Sequence, residues 1–173
     1  SMLSYCRSIT NITIPDSVTK IEDEAFSNIG ITNIDLNNVE YIGRRAFASS
    51  QLQEINLSRK VTFIGEAAFA DNSSLTEIKI PSSVNEIKED AFFFSSISYI
   101  DIPDGITVID DSTFLGCSNL QNVIIPNSVA TISHAAFKDC TALSSVSIPN
   151  SVVTIETFAF GYCTSLKEVE MSD

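Results

Sequence analysis

The sequence predicts a β-rich repeat solenoid, a pile of about seven coils of 21–23 residues with a parallel sheet along one face. Three observations lead there. An Ala-Phe pair recurs at Ala25-Phe26, Ala46-Phe47, Ala68-Phe69, Ala91-Phe92, Ala136-Phe137 and Ala159-Phe160, with Thr113-Phe114 as the variant copy. Successive Phe positions are 21, 22, 23, 22, 23 and 23 residues apart. An Ile-Pro pair recurs at Ile14-Pro15, Ile80-Pro81, Ile102-Pro103, Ile125-Pro126 and Ile148-Pro149, and Leu36-Asn37 and Leu57-Ser58 stand in its place in two coils. Between these markers the apolar residues fall into register. The copy Leu75-x-x-Ile78-x-Ile80-Pro81-x-x-Val84-x-x-Ile87-x-x-x-Ala91-Phe92 is matched position by position by Leu120 to Phe137 and Leu143 to Phe160.

Each part of the repeat has a physical role. Ile78-Lys79-Ile80 alternates apolar and polar, the period of a half-buried strand. Proline ends that strand because it has no N–H for the ladder. The Pro-Asn-Ser and Pro-Asp-Ser triplets then suit a turn with Pro at its second position. Val-x-x-Ile predicts a second short extended or irregular segment on the opposite side. The Ala-Phe pair sets a small residue beside a large ring: the ring fills the coil interior and the Ala lets backbone pass close. A short helical turn is a weaker expectation there. Length differences are confined to the connections. The Leu36-to-Val39 step has three residues where Ile80 to Val84 has four, as surface turns tolerate. One copy cannot bury its apolar positions alone; piling copies buries them against the next coil. At about 4.8 Å per rung, seven to eight rungs give a slab about 35 Å long.

The chain has 173 residues, 44% hydrophobic and 18% charged, which fits one domain spanning 1–173 with a full core. Ser1-Met2 reads as a cloning remnant and the register opens in mid-repeat, so a fragment of a longer protein is expected. The net charge of -12 opposes binding to nucleic acid or to an anionic membrane surface. No apolar run approaches the roughly 18 residues of a membrane span. No signal peptide is visible.

Few residues suggest chemistry. Cys117, Cys140 and Cys163 each lie three residues after the repeat Phe, and Cys6 stands in the same relation to Ile9 as Cys117 to Leu120. They share one structural position, and no C-x-x-C pair exists, so zinc spacing is absent. Rungs about 4.8 Å apart permit a disulfide by distance, but ladder neighbours point the same way, so a buried free-thiol ladder is preferred. The single histidine, His134, sits where other copies carry Asp, Glu or Arg, and reads as exposed. There is no G-x-S-x-G, Walker-type Gly loop, H-E-x-x-H or calcium-loop spacing. No enzyme activity, cofactor or metal is expected. Carboxylates before the Ala-Phe pair (Glu22-Asp23-Glu24, Glu66, Glu89-Asp90, Asp110-Asp111, Glu156) line up into an acidic stripe broken by Arg44-Arg45. It reads first as a solubilising edge, with a cation or basic-partner site as the alternative. Sequons occur at Asn11, Asn56 and Asn72 and carry little weight.

The full pattern, L-x-x-I-x-I-P-x-S-V-x-x-I-x-x-x-A-F-x-x-C, closely resembles the BspA-like, or Treponema pallidum-type, leucine-rich repeat from about Cys6 to Met171. The resemblance implies a curved right-handed solenoid with the parallel sheet on one face. It also implies a surface-exposed or secreted protein, often an adhesin that binds host or matrix proteins. Departures occur after the second Ile, where the family's usual Gly is present only at Gly43 and Gly65 and other copies carry Glu22, Lys88, Asp110, Ser133 or Glu156.

The outward strand positions matter most for binding. Most copies carry small polar or acidic residues there, including Asp35, Glu54, Glu77, Lys79, Asp101 and Asn122. Tyr99 and Ile124 are apolar on adjacent rungs where water is expected. Two readings stay open: scattered exposed apolar residues, which are normal, or an anchor pair of a protein-binding hot spot rimmed by those polar groups. The sequence therefore predicts a non-enzymatic protein-binding module, monomeric, outside the cell or on its surface, engaging a host, matrix or cell-surface protein through that face. An intracellular interaction scaffold and a structural spacer in a larger surface protein are the alternatives.

Overall fold

The computed structural model describes Leu3 and residues 6–171, and the Ser1-Met2 pair lies outside the described residues. The chain winds as a β-solenoid with three walls. The first wall carries β2 (Asn33–Asp35), β4 (Glu54–Asn56), β7 (Tyr99–Asp101), β9 (Asn122–Ile124), β11 (Ser145–Ile148) and β13 (Glu168–Met171). The second carries β1 (Lys20–Ile21), β3 (Tyr41–Ile42), β5 (Phe63–Ile64), β6 (Glu86–Ile87), β8 (Val108–Ile109), β10 (Thr131–Ile132) and β12 (Thr154–Ile155). The third is the Ala-Phe corner, a run of tight turns. All strand pairs are parallel and join equivalent residues of neighbouring coils, such as Ile34 with Ile55 and Ile42 with Ile64.

The alternating pattern sorts faces as expected. In β2, β4 and β7 the central Ile is buried between two exposed residues. The Phe residues of the Ala-Phe pairs form one internal column. Consecutive rings from Phe26 to Phe160 lie 5.1–5.6 Å apart, inclined by 12° or less except for the first pair at 25°. Phe47, Phe69, Phe92, Phe114 and Phe137 are fully buried, so each ring is packed by the coil before and the coil after.

The corner is not helical. In each of its seven turns the residue before the Ala position has positive φ: Glu24, Arg45, Ala67, Asp90, Ser112, Ala135 and Phe158. So does the second residue after the Phe: Asn28, Ser49, Asp71, Phe94, Gly116, Asp139 and Tyr162. Left-handed backbone costs a side-chain-bearing residue about 1–2 kcal/mol. The compensation is a hydrogen-bond ladder. Alternate N–H groups turn toward the next coil, as where Asp90, Phe92 and Phe94 donate to the carbonyls of Asp111, Thr113 and Leu115 at 3.0, 2.9 and 2.8 Å. Intervening residues donate within the coil, as Ala91 does to Lys88.

The strand walls are less regular than the repeat predicts. Ile78-Lys79-Ile80 keeps the expected burial, in-out-in, yet forms no strand. No backbone hydrogen bond joins residues 77–80 to the coil on either side. The strand expected there is therefore corrected to an extended, unladdered segment. On the second wall β6 pairs with β5 but not with β8, so that sheet also breaks at the next coil boundary. The corner ladder crosses the same boundary without interruption.

Candidate functional site

The first wall projects the candidate residues outward. Asp35, Glu54, Glu77, Lys79, Tyr99, Asp101, Asn122 and Ile124 are all exposed. Register places Asn33 beside Glu54, Asp35 beside Asn56, Tyr99 beside Asn122 and Asp101 beside Ile124. Tyr99 and Ile124 are thus diagonal neighbours on paired strands, with Asp101 and Asn122 completing the quartet. Their exposures, 40% and 49%, are high for side chains of their type.

Two hollows flank this quartet toward the N-terminus. The smaller, about 240 Å³, is lined by Thr13, Asn33, Asp35, Asn37, Glu54 and Asn56 beside three isoleucines. Asn56 Nδ2 donates to Asp35 Oδ1 at 2.6 Å and so orders its wall. The larger, about 670 Å³, lies where the sheet is interrupted. It is lined by the apolar Ile55, Leu57, Ile80, Ile102, Pro81 and Pro103 and by the charged Arg59, Lys79, Asp101 and Asp104. Among the described residues neither Arg59 nor Lys79 forms an ion pair, and the four pairs present involve Arg44, Lys88 and Lys138. The face therefore reads acidic over the first coils, mixed in charge in the middle, where Glu77, Asp101 and Asp104 accompany Arg59 and Lys79, and apolar at Tyr99 and Ile124.

Sequence reasoning missed other rings at the surface, some half-buried and some exposed. Tyr41 and Phe63 stack on the second wall at 4.9 Å with Lys20 above Tyr41. Phe158 and Tyr162 stack at 6.2 Å beneath Lys138. Phe94, 52% exposed, covers the Cα of Gly116 so closely that a Cβ there would sit 2.9 Å from its ring. The signal available was an aromatic at a repeat position occupied elsewhere by polar or small residues.

The three buried cysteines prove to be donors. Cys117, Cys140 and Cys163 are free and buried, and Cys6 is free and half-buried. Cys117 Sγ reaches the carbonyl of Phe92 at 3.1 Å, Cys140 that of Phe114 at 3.3 Å and Cys163 that of Phe137 at 3.1 Å. Asn72 fills the same position and donates through Nδ2 to Phe47 and Phe69, both at 2.9 Å, while its Oδ1 accepts from Ser50 at 2.7 Å. The sequon at Asn72 is therefore sealed inside the folded chain. Burial pushes the Cys117 thiol up to about 12, against the smaller opposing pull of Ser95. Cys140 is pushed up too, first by its hydrogen bond with Cys163 and then by burial.

The acidic stripe is partly neutralised. Arg44 contacts Asp23 and Glu24 at 4.0 and 3.4 Å. Farther along, partial burial raises the Asp90 carboxyl, and the charges of Glu89, Glu66 and Asp111 add to it. Among the described residues no three His, Cys, Asp or Glu side chains converge to hold a metal ion. His134 is exposed, with its ring edge toward Phe158 at 6.3 Å. No helix among the described residues is long and apolar enough to cross a membrane.

Comparison with known families finds six copies of a BspA type leucine-rich repeat region, matched over residues 1–120 and 86–173. Among solved structures, a leucine-rich cell surface protein of Faecalibacterium prausnitzii is 28% identical with a TM-score of 0.55, covering 95% of this chain and 61% of that one. The chain thus spans about three-fifths of that relative. The T. pallidum leucine-rich repeat protein aligns at 22% identity and a TM-score of 0.61, over 92% of this chain and 68% of its own. A leucine-rich repeat protein of Eubacterium ventriosum gives 21% and 0.54, over 97% and 55%. These last two speak to the fold. No curated protein matches the chain.

Proposed function

The chain belongs to the BspA-type leucine-rich repeat family, and from that premise we propose that it is a non-enzymatic recognition module of the cell surface whose first wall binds an extracellular protein of the host or matrix. The observation that carries this reading is the Tyr99–Ile124 pair. Two large apolar side chains stand exposed on paired strands, rimmed by Asp101 and Asn122, with a 670 Å³ hollow beside them. Apolar anchors within a polar rim, next to a concavity, suit a protein contact in which a few buried side chains supply most of the affinity. The 28%-identical relative is a cell surface protein, which supports the same placement for this chain. A monomer presents this face unobstructed.

The test is capture of the chain on a panel of immobilised extracellular-matrix proteins. Tyr99→Ala combined with Ile124→Ala is expected to weaken the strongest interaction more than tenfold while leaving the thermal midpoint unchanged, because neither side chain belongs to the core. Binding that survives the double substitution removes this patch from the interface.

A further inference from the structure

Each coil is tied to the next along the second wall, with one exception. Backbone bonds join coils 1 to 4 there, and coils 5 to 7, counting by the corner rings from Phe26 to Phe160. At the junction of coils 5 and 6, for example, Ala130 and Ser133 donate to Thr107 and Ile109 at 2.8 and 2.9 Å. The turns between the walls add side-chain bonds: Ser83, Ser128 and Ser151 Oγ donate to the carbonyls of Val61, Ile106 and Val129 at 2.6–2.7 Å. Between coil 4 (Phe92) and coil 5 (Phe114) both kinds of tie are missing. There β6 and β8 do not pair, and Gly105 stands at the serine position with no hydroxyl to give. From Glu77 and Tyr99 round to Lys88 and Asp110 no hydrogen bond crosses this junction. Behind it lies a void of about 10 Å³ among Ile87, Ile102, Ile106, Val108, Ile109 and Phe114. The corner side of the same junction is fully tied. The three corner bonds are present, Phe92 and Phe114 stack at 5.4 Å and 2°, and Ser96 and Ser98 donate to Asn72 and Thr76 at 3.3 and 3.0 Å. The covalent chain also passes from coil 4 to coil 5 on this side.

We propose that the junction of coils 4 and 5 is a pivot, about which coils 1–4 and coils 5–7 turn as two rigid blocks, with the Phe92–Phe114 corner as its axis and the side opposite the corner opening and closing. The inference goes beyond the reading of the first wall as a binding face and does not depend on it. The larger hollow straddles the pivot, with Ile80, Pro81 and Ser82 on one block and Asp101, Ile102 and Asp104 on the other, so its width follows the angle between the blocks.

The physical reason is the direction in which each kind of contact resists motion. In a solenoid each coil touches only its neighbours, so a weak junction is not bridged by contacts from elsewhere in the chain. Hydrogen bonds lose strength steeply when bent, and a ladder on the second wall therefore holds two coils at one angle. At the junction of coils 4 and 5 the open side is held by Ile87, Ile102, Ile106 and Ile109 packed across the void. Apolar burial has no preferred direction, so it opposes full separation while permitting a small rotation. Opening there breaks no hydrogen bond, whereas the same rotation between coils 5 and 6 breaks the bonds of Ala130, Ser133 and Ser128. A stiff line beside an untied face is the arrangement of a hinge.

The experiment uses the full chain carrying Cys6→Ser, spin-labelled at pairs of introduced surface cysteines and read by double electron–electron resonance. Cys117, Cys140 and Cys163 are buried and stay unlabelled in the folded chain, which the count of bound label checks. Each pair spans three coils. Arg59→Cys with Asn127→Cys crosses the junction in the turns farthest from the corner. Asp16→Cys with Ser82→Cys lies in the same row of turns but stays within coils 1–4. Glu66→Cys with His134→Cys crosses the junction beside the corner. The expected result is a distance distribution for the Arg59–Asn127 pair at least twofold wider than for either of the other two. Equal widths for all three pairs overturn the proposal, because the junction is then as stiff as any other. A wide distribution for the Glu66–His134 pair overturns it as well, because the corner is then no axis. So does a wide distribution for the Asp16–Ser82 pair, because coils 1–4 then do not move as one block.

Discussion

The Ala-Phe corner and the first strand wall are built by the same seven coils, but they meet the same coil boundary differently. At the corner, Asp90, Phe92 and Phe94 hand their N–H groups to the next coil as every earlier turn does. On the wall, residues 77–80 make no such bond to either side. The corner is held by a continuous column of stacked rings beneath it, and each ring fixes the position of the next. The wall has aliphatic pairs beneath it, such as Ile78 with Ile80 and Ile100 with Ile102, and no stacked rings, and its ladder is interrupted. Cohesion from coil to coil thus resides at the corner, which leaves the wall free to vary in shape and to carry a hollow.

Substitutions that empty the column should strike hardest at this contrast. Phe137→Ala is expected to destabilise the fold by about 3–5 kcal/mol in urea denaturation, since it removes a fully buried ring. Phe160→Ala, whose ring is only half-buried and stacks on Phe137 alone, should cost clearly less. Equal losses at the two positions would show that ring-on-ring packing is not the source of cohesion. Next in size is Asn72→Ala, at about 1–3 kcal/mol, because buried carbonyls of Phe47 and Phe69 lose their side-chain donor. A change below 0.5 kcal/mol there would mean that water replaces the amide.

A pH effect should accompany the same column. The folded Cys117 thiol keeps its proton up to about 12, whereas the unfolded one releases it near 9.0. As pH rises through that interval the unfolded state sheds the proton first, so stability is intact below about 9 and declines toward 12. Cys117→Ala should flatten the denaturation midpoint across that interval, and an unchanged slope would locate the alkaline loss elsewhere. The smallest effect belongs to the wall: Lys79→Ala is expected within about 0.5 kcal/mol of the parent. Hydrogen exchange sharpens the point. The Lys79 and Ile80 amides should exchange well before those of Phe92 and Phe114, and the reverse order would show that residues 77–80 are laddered after all.

Much of this was legible in the chain itself. The Ala-Phe spacing foretold the internal column, and the in-out alternation placed Tyr99, Ile124 and the six polar candidates on the outer surface. The left-handed positions were not legible, because Glu24, Arg45, Asp90 and Phe158 share no side-chain property that demands positive φ. The backbone adopts it to reach the next coil, and that need is set by the neighbour rather than by the residue. The gap at residues 77–80 was hidden for a related reason. Their local pattern is the same as that of laddered coils, and pairing depends on how two coils sit relative to one another. The shared position of Cys117, Cys140, Cys163 and Asn72 was visible, but its task was not, since the Phe carbonyl that each one caps lies 25 or 26 residues earlier in the chain.

The corner ladder has a consequence for how such a protein can change over generations. Each of the five turns with a neighbour on both sides contributes three N–H groups toward one neighbour and three carbonyls toward the other. Gain or loss of one whole coil by duplication or deletion of 21–23 residues leaves donors and acceptors balanced and the ring column unbroken. Such an event slides the Tyr99–Ile124 pair toward or away from the Asp35–Glu54 hollow by one rung of about 4.8 Å. Specificity could then be retuned in discrete steps, by counting coils rather than by redesigning any of them.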